Sequence, residues 1–338
     1  MDGRRGSVLV LTNPSDVTTD IVLRILAARR VPVVRLDPGT DLHTGASLSA
    51  TYGTGVQRGA LRTPSRNLDL GRVRSVWVRR SSPYAGPRRT PVLAVRRSSP
   101  YAGPPGLETP DRKFAAEQAS WGAGGILASL PGVHYVNHPW NNRAAEYKPA
   151  QLAAAQRFGF LVPDTLITDV ASEGREFAAE QSNGVVYKPL WNTPYRVAGR
   201  PHSVWAREVR EQEITDAVAV CPHLFQARVD KAFDVRVTAV GHRLFGTRID
   251  SPDLDWRRRQ NLMRCGPMDV PDPVRTSIHA YLTHFRLAYG AFDFAVTHDG
   301  AWYFLECNPN GHWAWQPPGI TDAIAHALAY QLEKGSEP

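Results

Sequence analysis

The stretch Ala291-Phe-Asp-Phe-Ala-Val-Thr-His-Asp-Gly-Ala-Trp-Tyr-Phe-Leu-Glu-Cys-Asn308 alternates apolar and polar residues on both sides of Asp299-Gly300. Asp-Gly between two alternating runs is a strong hairpin signal and predicts two antiparallel strands joined by a two-residue turn. In that register His298 faces Ala301, Asp293 lies directly opposite Glu306, and Ala291 lies opposite Asn308. Phe292, Phe294, Val296, Tyr303, Leu305 and Cys307 are then expected together on the other, apolar face.

Directly opposed side chains stand about 4.5–5.5 Å apart at Cβ, where like charges repel. Two carboxylates held that close, with the Asn308 amide oxygen two residues on, call for a hard cation. An all-oxygen set suits Mg²⁺, which keeps several waters and binds substrate phosphates at the same time. The competing reading is a solvated strand face on which the two acids merely avoid each other.

Lysine usage adds a second signal. Only 5 of the 40 basic residues are Lys, so a retained Lys points to a chemical reason. Lys148 and Lys188 are each followed by Pro, and Lys188 ends a strand-like run, Gly184-Val-Val-Tyr-Lys, before an irregular loop from Trp191. A compact ammonium serves well as a point-charge ligand for phosphate oxygens. Between these and the hairpin, Leu224 to Val229 reads as a strand or linker able to offer backbone groups to a purine. Asp234-Val-Arg236-Val-Thr-Ala-Val reads as a strand that turns at Gly241-His242 into Leu244–Ile249. The period of two puts Asp234 and Arg236 on one face, where a plain cross-strand ion-pair role competes with a functional one.

Toward the N-terminus, a strand at residues 7–11, a helix from Asp16 to Arg30 and a strand from Val31 to Leu36 make a β-α-β pattern, the mark of an open parallel sheet. The turn Thr12-Asn-Pro-Ser-Asp lacks the glycines of a dinucleotide fingerprint, and no GxxxxGK[ST] occurs, which disfavours nicotinamide and P-loop enzymes. Thr109-Pro110 reads as the start of a helix to about Leu130, followed by a strand at Val133–Asn137 and one helix from about Asn142 through Phe158. The decapeptide Val78–Pro87 recurs unchanged at Val95–Pro104. A single duplication is too little for a solenoid, so it reads as an insertion in a surface loop, where extra length costs little.

The 338 residues suit two or three packed units, and 42% hydrophobic with 21% charged residues is ordinary for a globular chain. Cys221, Cys265 and Cys307 form no CxxC pair, which argues against a disulfide framework or zinc site. With no apolar run of membrane-spanning length and no signal-peptide pattern at the start, a cytoplasmic location is expected. The net charge of +8 is uneven: residues 1–104 hold 17 Arg and no Lys against 6 Asp, a balance of +11, and the remainder sums to −3. No nucleic-acid motif accompanies that charge, so an arginine-rich face that attracts an acidic partner is the better reading.

Taken together, Lys148, Lys188, the Gln226-centred linker, Asp234-Val-Arg236 and Asp293…Glu306-Cys-Asn308 stand in the order of the ATP-grasp superfamily, which the chain resembles. More narrowly it is similar to the ATP-grasp maturases of graspetides, the side-chain-crosslinked ribosomal peptides that include microviridins. The segments Val136-Asn-His-Pro, Glu146-Tyr-Lys-Pro, Val186-Tyr-Lys-Pro-Leu-Trp, Asp255-Trp-Arg257 and Phe304-Leu-Glu-Cys-Asn-Pro-Asn-Gly-His-Trp carry that likeness. Ala227 departs from the pattern, since related ligases often carry an acidic residue there.

The resemblance implies an α/β (α+β) ATP-grasp fold: a pre-grasp domain over 1–139, a central lid over 140–224 and a C-terminal grasp domain over 225–338. It implies ATP and Mg²⁺ as cofactors, with Lys148 and Lys188 on nucleotide phosphates, Gln226, Ala227 and Val229 around the adenine, and Asp234 on the ribose. Asp293, Glu306 and Asn308 would hold Mg²⁺, and Arg236, Arg248 and Arg257 would face the transferring phosphoryl group or the acyl phosphate. The implied activity is conversion of Asp or Glu side chains of a precursor peptide, leader plus core, to acyl phosphates. A Thr or Ser hydroxyl, or a Lys amine, then closes the ring. The leader is expected near the stretch between Trp191 and Arg207, and a homodimer is allowed for. The alternative within the superfamily is a ligase that adds an amino acid to a protein tail or small molecule. No membrane or nucleic-acid partner is expected.

Overall fold

Val8, Leu9 and Val10 are fully buried because the strand that holds them, β1 (Ser7–Leu11), is covered on both faces. The structure, a computed structural model, describes residues 6–53, 55, 57–79, 109–191, 195–197, 200–202 and 204–335. Apart from Val78 and Arg79, the duplicated decapeptides lie outside the described residues. So does part of the stretch from Trp191 to Arg207. The chain divides into two compact units, residues 1–141 with 322–338, and residues 142–321.

In the first unit, β1, α1 (Val17–Ala28) and β2 (Val33–Leu36) make the expected parallel β-α-β. Asp16 caps α1, accepting the Thr19 N–H, and its carboxylate also takes the hydroxyls of Thr12 at 3.0 Å and Thr19 at 2.8 Å. A short helix, α2 (Asp41–Thr44), leads into an antiparallel meander of β3 (Ser47–Thr51), β4 (Arg58–Arg62) and β5 (Asn67–Asp69). Then come β6 (Val73–Val78), α3 (Thr109–Ala128) and β7 (His134–Val136), which complete a parallel sheet of order β2-β1-β6-β7. Leu9, Leu36, Leu61, Val76 and Leu127 form its core, and each fully buried aliphatic side chain contributes about 1.5–3 kcal/mol.

The single helix expected over 142–158 is two helices, α4 (Pro139–Glu146) and α5 (Lys148–Arg157). Pro149 has no amide hydrogen and fits only the first turn of a helix, so Tyr147 turns extended and a new helix starts. Lys148 is thereby placed at the head of α5.

The second unit carries two antiparallel sheets. The first is built from β8 (Thr165–Thr168), β9 (Val185–Lys188), β12 (Arg207–Val209) and β13 (His223–Ala227), in the order β12-β9-β13-β8, with α6 (Ala171–Glu180) packed on it. A two-stranded antiparallel ribbon, β10 (Tyr195–Val197) and β11 (Arg200–His202), lies between β9 and β12 in sequence. The second sheet, of order β16-β15-β14-β17-β18, comprises β14 (Lys231–Val240), β15 (Arg243–Asp250), β16 (Arg264–Met268), β17 (Tyr289–Thr297) and β18 (Trp302–Asn308). One face of it buries Val235, Val237, Phe292, Phe294 and Phe304 against α5 and α7 (Asp272–Phe285). The last helix, α8 (Pro318–Lys334), runs back into the first unit. Its residues from Asp322 onward group with residues 1–141. No helix among the described residues is long and apolar enough to cross a membrane. All three cysteines are unpaired.

The decisive hairpin forms as expected at its open end: Asp293 pairs with Glu306, Phe292 with Cys307 and Ala291 with Asn308. Near the turn the register is shifted by one, with Phe294 opposite Phe304 and Val296 opposite Trp302. Thr297 and Ala301 close a three-residue loop, in which Gly300 adopts φ 88° and the Thr297 hydroxyl accepts the Ala301 N–H at 3.0 Å. A bulge beside Leu305 then restores the register. The apolar face therefore takes Trp302 and Phe304, not Tyr303 and Leu305 as expected. The turn was one residue longer than the Asp-Gly pair implied.

Candidate functional site

The face of the five-stranded sheet opposite the aromatic core carries the chemistry, and period-two alternation supplies it. Asp234 and Arg236 on β14, Asp293 on β17 and Glu306 on β18 share that face, Arg236 sitting opposite Asp293 and Asp293 opposite Glu306. Arg236 binds Asp293 through two parallel bonds, Nε–Oδ1 at 2.6 Å and Nη2–Oδ2 at 2.9 Å. Its guanidinium lies 5.4 Å from the ring centre of Trp256 and 6.0 Å from that of Trp315, whose rings are 4.8 Å apart. Gly311 lets the chain after β18 pass close by: a Cβ there would meet the Ala291 Cβ at 2.5 Å.

Glu306 is held from two sides, by Lys148 Nζ on Oε2 at 2.5 Å and by Arg257 Nη1 on Oε1 at 2.9 Å. Arg257 also grips Asp255 through Nε at 2.8 Å and Nη2 at 3.0 Å. Lys148, at the head of α5, is positioned by Gln151 three residues on. The Gln151 amide donates to the carbonyls of Ala145 at 2.7 Å and Cys307 at 2.8 Å and accepts the Cys307 N–H at 3.0 Å. One buried side chain thus serves as an extra strand on the outer edge of β18, locking the helix of Lys148 to the strand of Glu306.

Lys188, ending β9, donates to Gln226 Oε1 at 2.6 Å, and the Gln226 amide nitrogen donates to Thr165 at 2.8 Å. Ala227 gives its N–H to the Asp164 carbonyl, and the Val229 carbonyl accepts the Lys231 N–H, so β13 and its exit are largely committed within the protein. Lys231 binds Asp234 at 2.5 Å and the Leu254 carbonyl at 2.8 Å. A narrow cleft is lined by Lys148, Gln151, Leu152, Lys188, Leu224, Gln226 and Leu305. Leu305 enters it because of the bulge, giving the cleft an apolar wall beside the lysines.

The charges tune one another. The Lys148 ammonium, with Arg257, holds the Glu306 carboxyl well below the usual range, overcoming its burial. Burial pushes Asp293 up against the pull of Arg236, and the Glu306 charge across the ribbon adds to the push. Burial lowers Lys188 to about 8 despite the attraction of Glu306, and it raises Asp234 to about 6 despite Lys231. Burial opposes the charge on Arg257, yet Glu306 and Asp255 keep it firmly protonated.

Of the residues expected from sequence, Lys148, Arg236, Arg257, Asp293 and Glu306 meet in one ion-pair cluster, and Lys188 joins its field with Gln226. Asn308 lies two residues beyond Glu306, exposed, its Oδ1 accepting the Asn310 N–H at 3.0 Å. Arg248 is not brought to the cluster. It stands opposite Val235, on the core side of the sheet, paired with Asp250 at 2.7 Å and lying 3.9 Å over Phe233. Sequence reasoning missed Gln151, Leu305, Trp315 and Lys231. For Gln151 the only available signal was a lone amide one turn after Lys148 in an alanine-rich helix.

Among the described residues no three His, Cys, Asp or Glu side chains cluster to hold a metal. The donor set here is instead two opposed carboxylates and an amide, all oxygen, which fits a hard divalent ion. Opposed carboxylates at this burial need compensating positive charge, and the three cations that meet them supply it in this structure.

No protein-family model matches the chain, and no curated protein matches it. Solved structures do. The chain is similar to a RiPP-associated ATP-grasp ligase of Chryseobacterium gregarium, solved in complex with ADP and a leader and core peptide. That likeness has 24% identity, covers 98% of each chain and gives a TM-score of 0.85. It is similar to the macrocyclase MdnC of Microcystis aeruginosa MRC bound with precursor peptide MdnA, at 26% identity over 96% of this chain and 98% of that one, TM-score 0.79. It is also similar to the ATP-grasp ligase PsnB complexed with minimal precursor, Mg and ADP, at 19% identity over 96% and 97%, TM-score 0.69. The chain has the ATP-grasp fold, in the form that these RiPP-associated ligases and macrocyclases share.

Proposed function

We infer that this protein is an ATP-dependent ligase that matures a ribosomal precursor peptide by closing side-chain macrocycles. The observation that carries the reading is the direct opposition of Asp293 and Glu306, with Lys148 and Arg257 converging on Glu306 and Arg236 on Asp293. A bare binding surface has no use for two acids so placed, whereas phosphoryl transfer needs a metal ligand set with cations around it. The likeness to enzymes solved with ADP, Mg and precursor peptides supports the same reading.

In this account Lys148 and Lys188 bind nucleotide phosphates. Leu305, Leu224 and Leu152 offer an apolar wall for the base beside Gln226, Ala227 and Val229, and Asp234 meets the ribose. Asp293, Glu306 and Asn308 would hold Mg²⁺, which when bound offsets the charge of the phosphates. Arg236 and Arg257, each fixed by a two-point bond to a carboxylate, face the group in transfer and need no reorganisation during the reaction. The carboxylate of a peptide Asp or Glu attacks the terminal phosphorus, a C–O–P link forms and ADP leaves. A hydroxyl of Thr or Ser, or a Lys amine, in the same peptide then attacks the acyl carbon. Phosphate leaves, and the proton passes to phosphate or solvent. Holding both groups of one peptide in reach makes the second step intramolecular, which supplies much of its rate.

The partner is a leader-plus-core peptide rich in Asp and Glu, and the arginine excess of residues 1–104 would attract it through its summed field. Incubation with ATP, Mg²⁺ and an acidic, Thr-rich peptide encoded beside the gene tests the proposal by mass spectrometry. Maturation removes the mass of one water per ring, and amino-acid ligation adds a residue mass. An unchanged peptide with no ADP formed would sink both.

A further inference from the structure

The three cations that meet Asp293 and Glu306 are not held alike. Arg257 is anchored at both ends, to Glu306 at 2.9 Å and to Asp255 at 2.8 and 3.0 Å. Arg236 is buried beside Trp256 and Trp315 and gives Asp293 two bonds, so it cannot swing without unpacking the rings. Lys148 is different. It has a flexible four-carbon stem, and among the described residues its ammonium bonds to Glu306 Oε2 alone.

We propose that Lys148 is an exchanging cation that makes this site select a metal arriving with nucleotide over free metal. Without nucleotide, Lys148 neutralises Glu306 and competes with a divalent ion for Oε2. A nucleotide phosphate offers the ammonium a second anion. Lys148 moves to it, and the vacated carboxylate oxygen becomes a metal ligand. Metal and nucleotide then bind with positive coupling, and linkage makes that coupling reciprocal. Gln151 keeps the backbone of α5 docked on β18 throughout, so only the side chain has to move. The inference rests on the nucleotide-and-metal reading above. It separates Lys148 from a lysine that only binds phosphate, whose removal would leave affinity for free metal unchanged.

The test is Mn²⁺ binding to the nucleotide-free full chain, followed by electron paramagnetic resonance. Lys148→Met should bind free Mn²⁺ at least about tenfold tighter than the parent, the scale on which one adjacent charge alters a carboxylate's affinity for a cation. Lys148→Arg, which keeps the charge, should bind as weakly as the parent. So should Lys334→Met, which controls for net charge at a residue stacked on Tyr330. Equal or weaker binding by Lys148→Met, in protein that still unfolds cooperatively, overturns the exchange. Calorimetry with ADP and Mn²⁺ separates the two readings. A parent that binds no Mn²⁺·ADP removes the nucleotide site itself. A parent that binds it while Lys148→Met gains nothing for free Mn²⁺ removes only the exchange.

Discussion

The two faces of the sheet β16-β15-β14-β17-β18 are made by the same strands and are opposites in physics. On one, Phe292, Phe294 and Phe304 pack with Phe160 and Tyr281 at ring separations of 5.2–6.4 Å, a dry aromatic cluster that needs no ligand. On the other, each charged side chain is held by a partner of opposite charge: Asp234 by Lys231, Asp293 by Arg236 and Glu306 by Lys148. The apolar face contributes stability without condition, because area removed from water does not depend on which neighbour covers it. The charged face stores desolvation cost that opposite charges must offset, so it responds whenever a partner changes. Neighbouring residues of β17 carry the two roles: Phe292 faces the core and Asp293 the site.

Breaking one face should spare the function of the other. The largest effect is expected from Asp293→Asn or Glu306→Gln, with turnover falling by at least about 10²–10³ as charge stabilisation of the transfer is lost. Peptide conversion in protein confirmed as folded by circular dichroism measures it, and intact turnover in both variants would falsify the catalytic assignment of this face. On the core side, Phe292→Ala should cost about 3–5 kcal/mol in urea unfolding, while nucleotide affinity of the remaining folded protein stays near that of the parent.

A smaller effect sharpens the comparison through pH. Burial leaves Lys188 with a value of about 8 in the free protein, and phosphate oxygens favour its charged form. The proton must therefore be present for tight binding. Affinity for ATP should be flat below pH 8 and weaken by up to about tenfold per unit above it, until the bound-state value is passed. Titration calorimetry across pH 7–10 reads the slope, and Lys188→Arg should abolish it; a parent with no slope leaves Lys188 without a phosphate contact. Least is expected from Arg248→Ala. Exposed over Phe233 on the core side, Arg248 should contribute about 0.5–1 kcal/mol to stability, and its loss should change turnover less than about twofold. A large loss of turnover there would move the phosphoryl site to the wrong side of the sheet.

The pairing of Asp293 with Glu306 was legible because both ends of one local ribbon lie within the same stretch of chain, and alternation assigns its faces. The bulge was not legible. Thr297 closes the loop by bonding across it, and Leu305 turns toward the cleft only because Phe304 is taken by the core. Lys148 and Lys188 could be singled out by scarcity, whereas the restart at Pro149 was not read from the sequence, whose pattern runs on as one helix. Gln151 carried almost no signal, since two of its three side-chain bonds go to backbone groups of Cys307, 156 residues away.

By itself the amino-acid order determined which residues alternate, where prolines and glycines interrupt, and therefore which side chains share a strand face, because these depend on backbone geometry over a few residues. Only the tertiary structure decided that Arg257 and Lys148 divide one carboxylate between them, that Gln226 is spent on Lys188, and that Arg248 falls behind the sheet. Ion pairs and hydrogen bonds are made by whichever groups packing brings within about 3 Å. That proximity is a property of the assembled strands, which no local pattern encodes.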